Sequence, residues 1–291
     1  TIGPELEKRI QSIIDTRLIE LNNDFKIYWN NFAIAKITPG NDYLNPNFEL
    51  IVDDILEQEQ RKKLSSYIHK WLRNKIDTTL QSLIDLKNLK DKHSSIKALA
   101  YQLYENNGVL KRENVSEYLK NLGQSERKIL RDLGVRFGRY HIFLNKLIKP
   151  EPVTLRTLLW KNHNQKYLKL KPPTFGLNFI EDSNNNKNFM LLCGFEKFDN
   201  YFVRIDILER LFMQIINAGS DDNQNKEVKL VPEMLNLLGC SKDNFKKLLQ
   251  KMNYKIFEKE NETFFKYSPT KKFKKITTKK ISNENPFKIL K

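Results

Sequence analysis

The sequence predicts a mainly helical α+β chain, with a helical bundle-like N-terminal part followed by a smaller winged-helix-like C-terminal part. Three observations carry this. Apolar residues recur at three and four residues through most of the first 150 positions, the period of amphipathic helices. Proline pairs and an asparagine run then interrupt the pattern at Pro150 and Pro152, at Pro172 and Pro173, and at Asn184 to Asn186. Residues 230–267 finally read as helix, glycine-containing turn, basic helix and aromatic hairpin.

Taken in order, Leu6, Ile10, Ile13, Ile14, Leu18 and Leu21 share one face of an opening helix that ends near Asn22. Residues 26–52 are aromatic and β-branched with Pro39-Gly40-Asn41 inside, which predicts two short strands around a turn. From Ile55 to Leu89, residues such as Leu64, Ile68, Leu72, Ile76, Leu80 and Leu83 keep helical register, so one long helix or two stacked ones follow. Further helices are expected at 94–105, 111–122, 125–133, 141–148 and 153–163, punctuated by glycine, asparagine and proline. Strands are expected at 189–198 and 201–205. Asp206 is placed to cap the next helix, with Glu209 as its reciprocal partner. In the last unit Ser241 caps a helix whose outward side is Lys246, Lys247, Gln250 and Lys251, and the hairpin after it carries Glu258, Glu260 and Glu262 at its tip.

These elements divide the chain into a helix plus β-hairpin segment (1–52), a basic helical domain (53–170), a linker (171–188), a winged-helix-like α+β domain (189–268) and a basic flexible tail (269–291). With 40% apolar and 30% charged residues the chain can bury a core, which excludes wholesale disorder. No stretch is long and apolar enough to cross a bilayer and the first residues have no signal-peptide zones. Two cysteines 47 residues apart fit a reduced compartment, so a cytoplasmic chain without membrane contact is expected. A start at Thr1 fits a piece of something longer, and removal of an initiator Met would look the same.

The net charge of +16 is regional. Residues 1–60 hold 5 basic and 11 acidic side chains, residues 61–150 hold 20 and 8, and the last 22 hold eight lysines against Glu284 alone. Clustered like charge repels itself unless an anionic partner or an extended chain relieves it, so a polyanion is the first partner to consider.

Catalytic signatures are sparse. No glycine precedes Lys-Ser or Lys-Thr, so there is no phosphate-cradling P-loop. The histidines His69, His93, His141 and His163 are at least 22 residues apart, and neither cysteine has zinc-site spacing. No catalytic or metal-binding residue is assigned. The remaining signal is basic and aromatic. Gly134 to Phe143 interleaves Arg136 and Arg139 with Tyr140 and His141, a mixture suited to gripping phosphates and stacking on unpaired bases. The alternative is that Phe137, Tyr140, Leu144 and Leu147 are core and the arginines are merely solvated. Lys246, Lys247 and Lys251 on the last helix, and Lys271, Lys272, Lys274 and Lys275 in the tail, complete the candidate nucleic-acid-binding set.

GVRFGRYHIFLNKLIKPEPVTLRTLLW (Gly134 to Trp160), YFVRIDILERL (Tyr201 to Leu211) and LVPEMLNLLGCSKDNFKKLLQKMNYK (Leu230 to Lys255) resemble the C-terminal half of bacterial helicase-related proteins similar to the mitochondrial degradosome RNA helicase, of the DExH group in superfamily two. NFAIAKITPGNDYLNPNFELIVDDIL resembles the segment after their motor domains. The motor motifs are absent, so the resemblance implies that ATP and Mg belong to motor domains upstream and that residues 1–52 adjoin them. It implies a C-terminal accessory region that guides single-stranded RNA beside an ATP-dependent helicase motor. RNA, with DNA as the alternative, the upstream motor domains and a ribonuclease are the expected partners. Two rival expectations are a stand-alone winged-helix DNA-binding regulator and a docking scaffold for an RNA-degradation partner.

Overall fold

The computed structural model describes residues 2–89, 94–182, 185–219 and 226–269. The chain opens with α1 (Ile2–Thr16) and an antiparallel meander of β1 (Ile19–Leu21), β2 (Lys26–Trp29), β3 (Phe32–Thr38) and β4 (Asn47–Leu50), paired in that order. Sequence reading places two strands here; the extra pairings come from tight turns that Phe25, Asn30 and Asn31 allow by taking positive φ of 68°, 45° and 67°. The long apolar period is two helices, α2 (Gln58–Thr79) and α3 (Gln81–Lys87), meeting at Leu80. Ile10, Ile27, Ile37, Leu64, Ile68, Leu72 and Leu83 bury their side chains in one cluster, so α1, the meander and these helices share a core.

From residue 94 onward one architecture recurs. Its first copy is α4 (Ser94–Glu105), β5 (Val109–Lys111), α5 (Ser116–Lys120), α6 (Gln124–Asp132), β6 (Val135–Phe137) and β7 (His141–Leu144), with sheet order β5-β7-β6. The second is α7 (Pro150–His163), β8 (Phe179–Glu181), α8 (Lys187–Leu192), β9 (Phe195–Phe198) and β10 (Tyr201–Arg204), with order β8-β10-β9. The third is α9 (Ile205–Ala218), β11 (Val228–Lys229), α10 (Pro232–Leu238), α11 (Lys242–Lys251), β12 (Tyr254–Lys259) and β13 (Glu262–Tyr267), with order β11-β13-β12. Each time the first strand pairs with the last and a hairpin closes the unit as its wing, although the second copy has a single helix, α8, between its first strand and that hairpin. The C-terminal part is therefore winged-helix-like, and among the described residues the same strand order occurs twice before it. In the third copy Ser241 accepts from Asn244 N at 3.2 Å and Gly239 takes a left-handed φ of 69°, as the turn between the two helices requires.

Several expectations are corrected. Residues 141–148 form strand β7 and a 3₁₀ turn, not a helix, because His141 to Leu144 lie between β5 and β6 and are all buried. A short strand buried on both faces has no alternation to separate it from a helix. The helix expected at 111–122 begins as β5 and narrows to α5. The strand expected at 189–198 begins as α8, because the Asn186 side chain caps Phe189 N at 3.0 Å, and Gly194 at φ 85° then turns the chain into β9. Within the expected linker 171–188, Phe179–Glu181 pairs with β10. Asp206 is no N-cap: its carboxylate binds the Arg204 guanidinium at 2.7 Å, and Glu209 reaches away from its own helix.

Candidate nucleic-acid interface

Where the three winged units meet, wing tip 138–141 of the first is clasped by the other two. Glu209 of α9 accepts from the amides of Tyr140 at 2.9 Å and His141 at 2.7 Å through Oε1, and from the amide of Arg139 through Oε2. The His141 ring is 3% exposed and lies between two carboxylates, with Nδ1 3.0 Å from Glu209 and Nε2 3.1 Å from Glu196 of β9. Lys111 of β5 stands 3.1 Å from the other oxygen of Glu196. Burial opposes a charge on His141, but its hydrogen bonds to Glu196 and Glu209 outweigh that and raise its pKa above 6.5. Burial likewise opposes ionisation of Glu196, and His141 and Lys111 together outweigh it, lowering its pKa below 4.5. Both ring nitrogens face carboxylate oxygens, an arrangement that favours the imidazolium.

This clasp forms one wall of a cleft of about 830 Å³. The first unit supplies Lys111, Arg112 and Arg139, the second Lys197, Phe198 and Asp199, and the third Lys251, Asn253 and Tyr267. Arg112 Nη1 donates to Gly138 O at 2.7 Å, Lys251 pairs with Asp199 at 3.0 Å, and the Arg139 guanidinium lies 6.0 Å from the Tyr140 ring and 5.9 Å from the Tyr267 ring. Tyr267 is 41% exposed. Guanidinium donors beside an open aromatic face can hold a phosphate and a neighbouring base. Burial pushes the Cys193 thiol up to about 12 and the Cys240 thiol up to about 11, so neither is a thiolate nucleophile near neutrality. Among the described residues no three His, Cys, Asp or Glu gather as a metal site, and no helix is long and apolar enough to cross a membrane.

The expected binding residues scatter. Arg139 and Lys251 line the cleft together with parts of Tyr140 and His141. Of the two rings expected to stack on bases, Tyr140 is half-buried and packs edge-on to Phe212 at 4.5 Å against the core of the third unit, and His141 is buried. Arg136 is exposed on β6 but faces a second opening. Lys246 is paired with Glu258 at 2.9 Å, and Lys247 is exposed on α11 away from the cleft. Lys271, Lys272, Lys274 and Lys275 lie outside the described residues. Sequence reading missed Lys111, Arg112 and Tyr267, which reach the cleft from segments far apart along the chain. It also missed Glu196 and Glu209, although a glutamate beside Leu208 and Phe212 on a buried helical stripe signals a buried partner.

No family model matches this sequence, and no solved structure matches it. Among curated proteins the exodeoxyribonuclease 7 large subunit of Mycoplasma mycoides subsp. mycoides SC is 24% identical over 183 residues. The match covers 60% of this chain, which spans 37% of the length of that relative. These findings correct the helicase resemblance: the relative found is a subunit of a nuclease, and no helicase family is matched.

Proposed function

We propose that this chain is a non-catalytic holder of single-stranded nucleic acid, which seats the strand in the cleft between its three winged units. The observation that carries the reading is the placement of Arg139 over the exposed Tyr267 ring, with Arg112 alongside. Arginine there grips a phosphodiester in two-pronged fashion and tyrosine stacks under a base, without selecting a sequence. The surplus of cations over residues 61–150 adds attraction at longer range. The name of the nuclease subunit above fits a role beside nucleic acid. The duplex-reading regulator draws less support, since Lys246 and Lys251 on α11 are each held by a carboxylate. In this reading the chain works in the reducing, aqueous cytoplasm.

The test is fluorescence anisotropy of labelled single strands of RNA and of DNA, about 16 nucleotides long, against a duplex of equal length, from low to moderate salt. Binding of single strands should weaken with a slope of log affinity on log salt of roughly 0.7 per phosphate neutralised. Absence of binding at low salt, a flat salt response, or a preference for the duplex overturns the proposal.

A further inference from the structure

The same wing has a second side. Between α6 and β6 of the first unit and α9 of the third runs a smaller cleft of about 380 Å³, into whose lining Arg131, Arg136 and Arg210 converge from three elements. All three are exposed, and among the described residues no carboxylate pairs with any of them. The two acids in the same lining are engaged elsewhere, Asp206 with Arg204 at 2.7 Å and Glu209 with the wing tip and His141. Arg127, one turn before Arg131, donates to the carbonyls of Leu119 and Leu122 at 2.8 and 3.2 Å and is thus structural. Arg131 itself lies 5.7 Å from the Phe137 ring, which holds one face of its guanidinium and leaves its N–H edge open.

Arg131 also sits on α6, the helix that occupies the recognition position of the first winged unit. A pocket of this size is at the small end of ligand sites and fits about one nucleotide. Gly138 lines this cleft and Arg139, its neighbour in the chain, lines the larger one. We propose that the arginine cleft is a second phosphate-binding site, which takes the backbone of the same strand after it crosses the wing tip. Free guanidiniums without a counter-ion repel one another, and consecutive phosphodiesters are anions at a spacing that relieves this. The site rests on the strand-holding reading and adds a direction to it: the strand leaves the junction of the three units along the seam between α6 and α9.

Anisotropy titrations of the full chain with strands of about 4 and about 16 nucleotides separate the two. In R131Q/R136Q the long strand should lose roughly 1.4 from its salt slope, two phosphates at roughly 0.7 each, while the short strand, seated in the larger cleft, should bind as in the parent. Arg210→Gln should lower the slope further. A control neutralising two exposed lysines of α2, Lys62 and Lys70, should leave both strands nearly unchanged. If R131Q/R136Q leaves the long strand unaffected while Arg139→Gln weakens it, the second site is wrong and the strand-holding role stands. If the α2 control lowers the slope equally, diffuse attraction replaces the site. If the parent binds neither strand at low salt, both readings fall together.

Discussion

The carboxylate of Glu209 meets His141 twice, with Oε1 3.0 Å from the ring Nδ1 and 2.7 Å from the backbone nitrogen of the same residue. One side chain of α9 therefore holds both the turn of a distant wing and the ring of its histidine. The other ring nitrogen belongs to Glu196 of the second unit, so a single imidazolium is gripped by all the units that wall the cleft. The position of Arg139 follows, because its amide is one of the donors to Glu209.

Stability should depend on pH on both sides of this cluster. His141 has a raised pKa in the fold, so its contribution is complete below 6.5 and is lost as pH rises through the folded value. Glu196 has a lowered one, so its contribution is complete above 4.5 and is lost as pH falls through the folded value. Urea midpoints across pH should peak between these limits and fall on the alkaline side, and His141→Gln should flatten that alkaline fall. An unchanged alkaline limb in the variant would remove the imidazolium from the account.

Gly138 is small because of its neighbour rather than its backbone. A Cβ at this position would stand 2.4 Å from Cδ of Glu209, whose oxygens are held by three amides and a ring and have no room to retreat. Gly138→Ala should cost about 1–3 kcal/mol, the usual range for overpacking a well-filled site, read as a lower urea midpoint. Glu209→Gln leaves the imidazolium with one fewer carboxylate and should cost about 3 kcal/mol or more; midpoints equal to the parent in both variants would show the clasp to be dispensable.

Much of this was legible from sequence, and the gaps share a physical cause. Ser94 to Glu105 has one apolar face and one polar face, and that helix was read with its observed ends. The Gly239, Ser241 and hairpin pattern of the third unit was equally local, since each signal sits within a few residues of the structure it specifies. The first wing was not, because His141 to Leu144 are buried by strands on both sides and their period carries no information. Pairing of Glu209 with residues 68 to 70 positions earlier is invisible to any local rule. The cleft is assembled from such distant pairings, so Arg139 and Lys251 stand in the sequence as isolated cations without the site that joins them.

Arg156 should prove a structural cation. It is fully buried and donates to the carbonyls of Asn107, Leu147 and Leu192 at 2.9, 3.0 and 2.6 Å, tying the first unit to the second. Arg156→Leu strands two buried acceptors and one half-buried one and should cost about 3–5 kcal/mol. Arg156→Lys, with a point charge in place of a planar fork, should recover part of that. The ordering parent, Lys, Leu in denaturant midpoint checks the account, and a leucine variant as stable as the parent refutes it.

Arg139 and Tyr267 should fail in different ways although the guanidinium lies 5.9 Å from the ring. The tyrosine offers a neutral ring, so Tyr267→Ala should lower strand affinity by about 1–3 kcal/mol per lost base stack and leave the salt slope alone. The arginine offers charge, so Arg139→Gln should reduce the slope by roughly 0.7 along with affinity. Neither side chain is part of the clasp, which uses only the Arg139 amide, and both variants should keep the parent's urea midpoint. A slope that drops in the tyrosine variant would mean that the ring acts by holding the guanidinium in place rather than by stacking under a base.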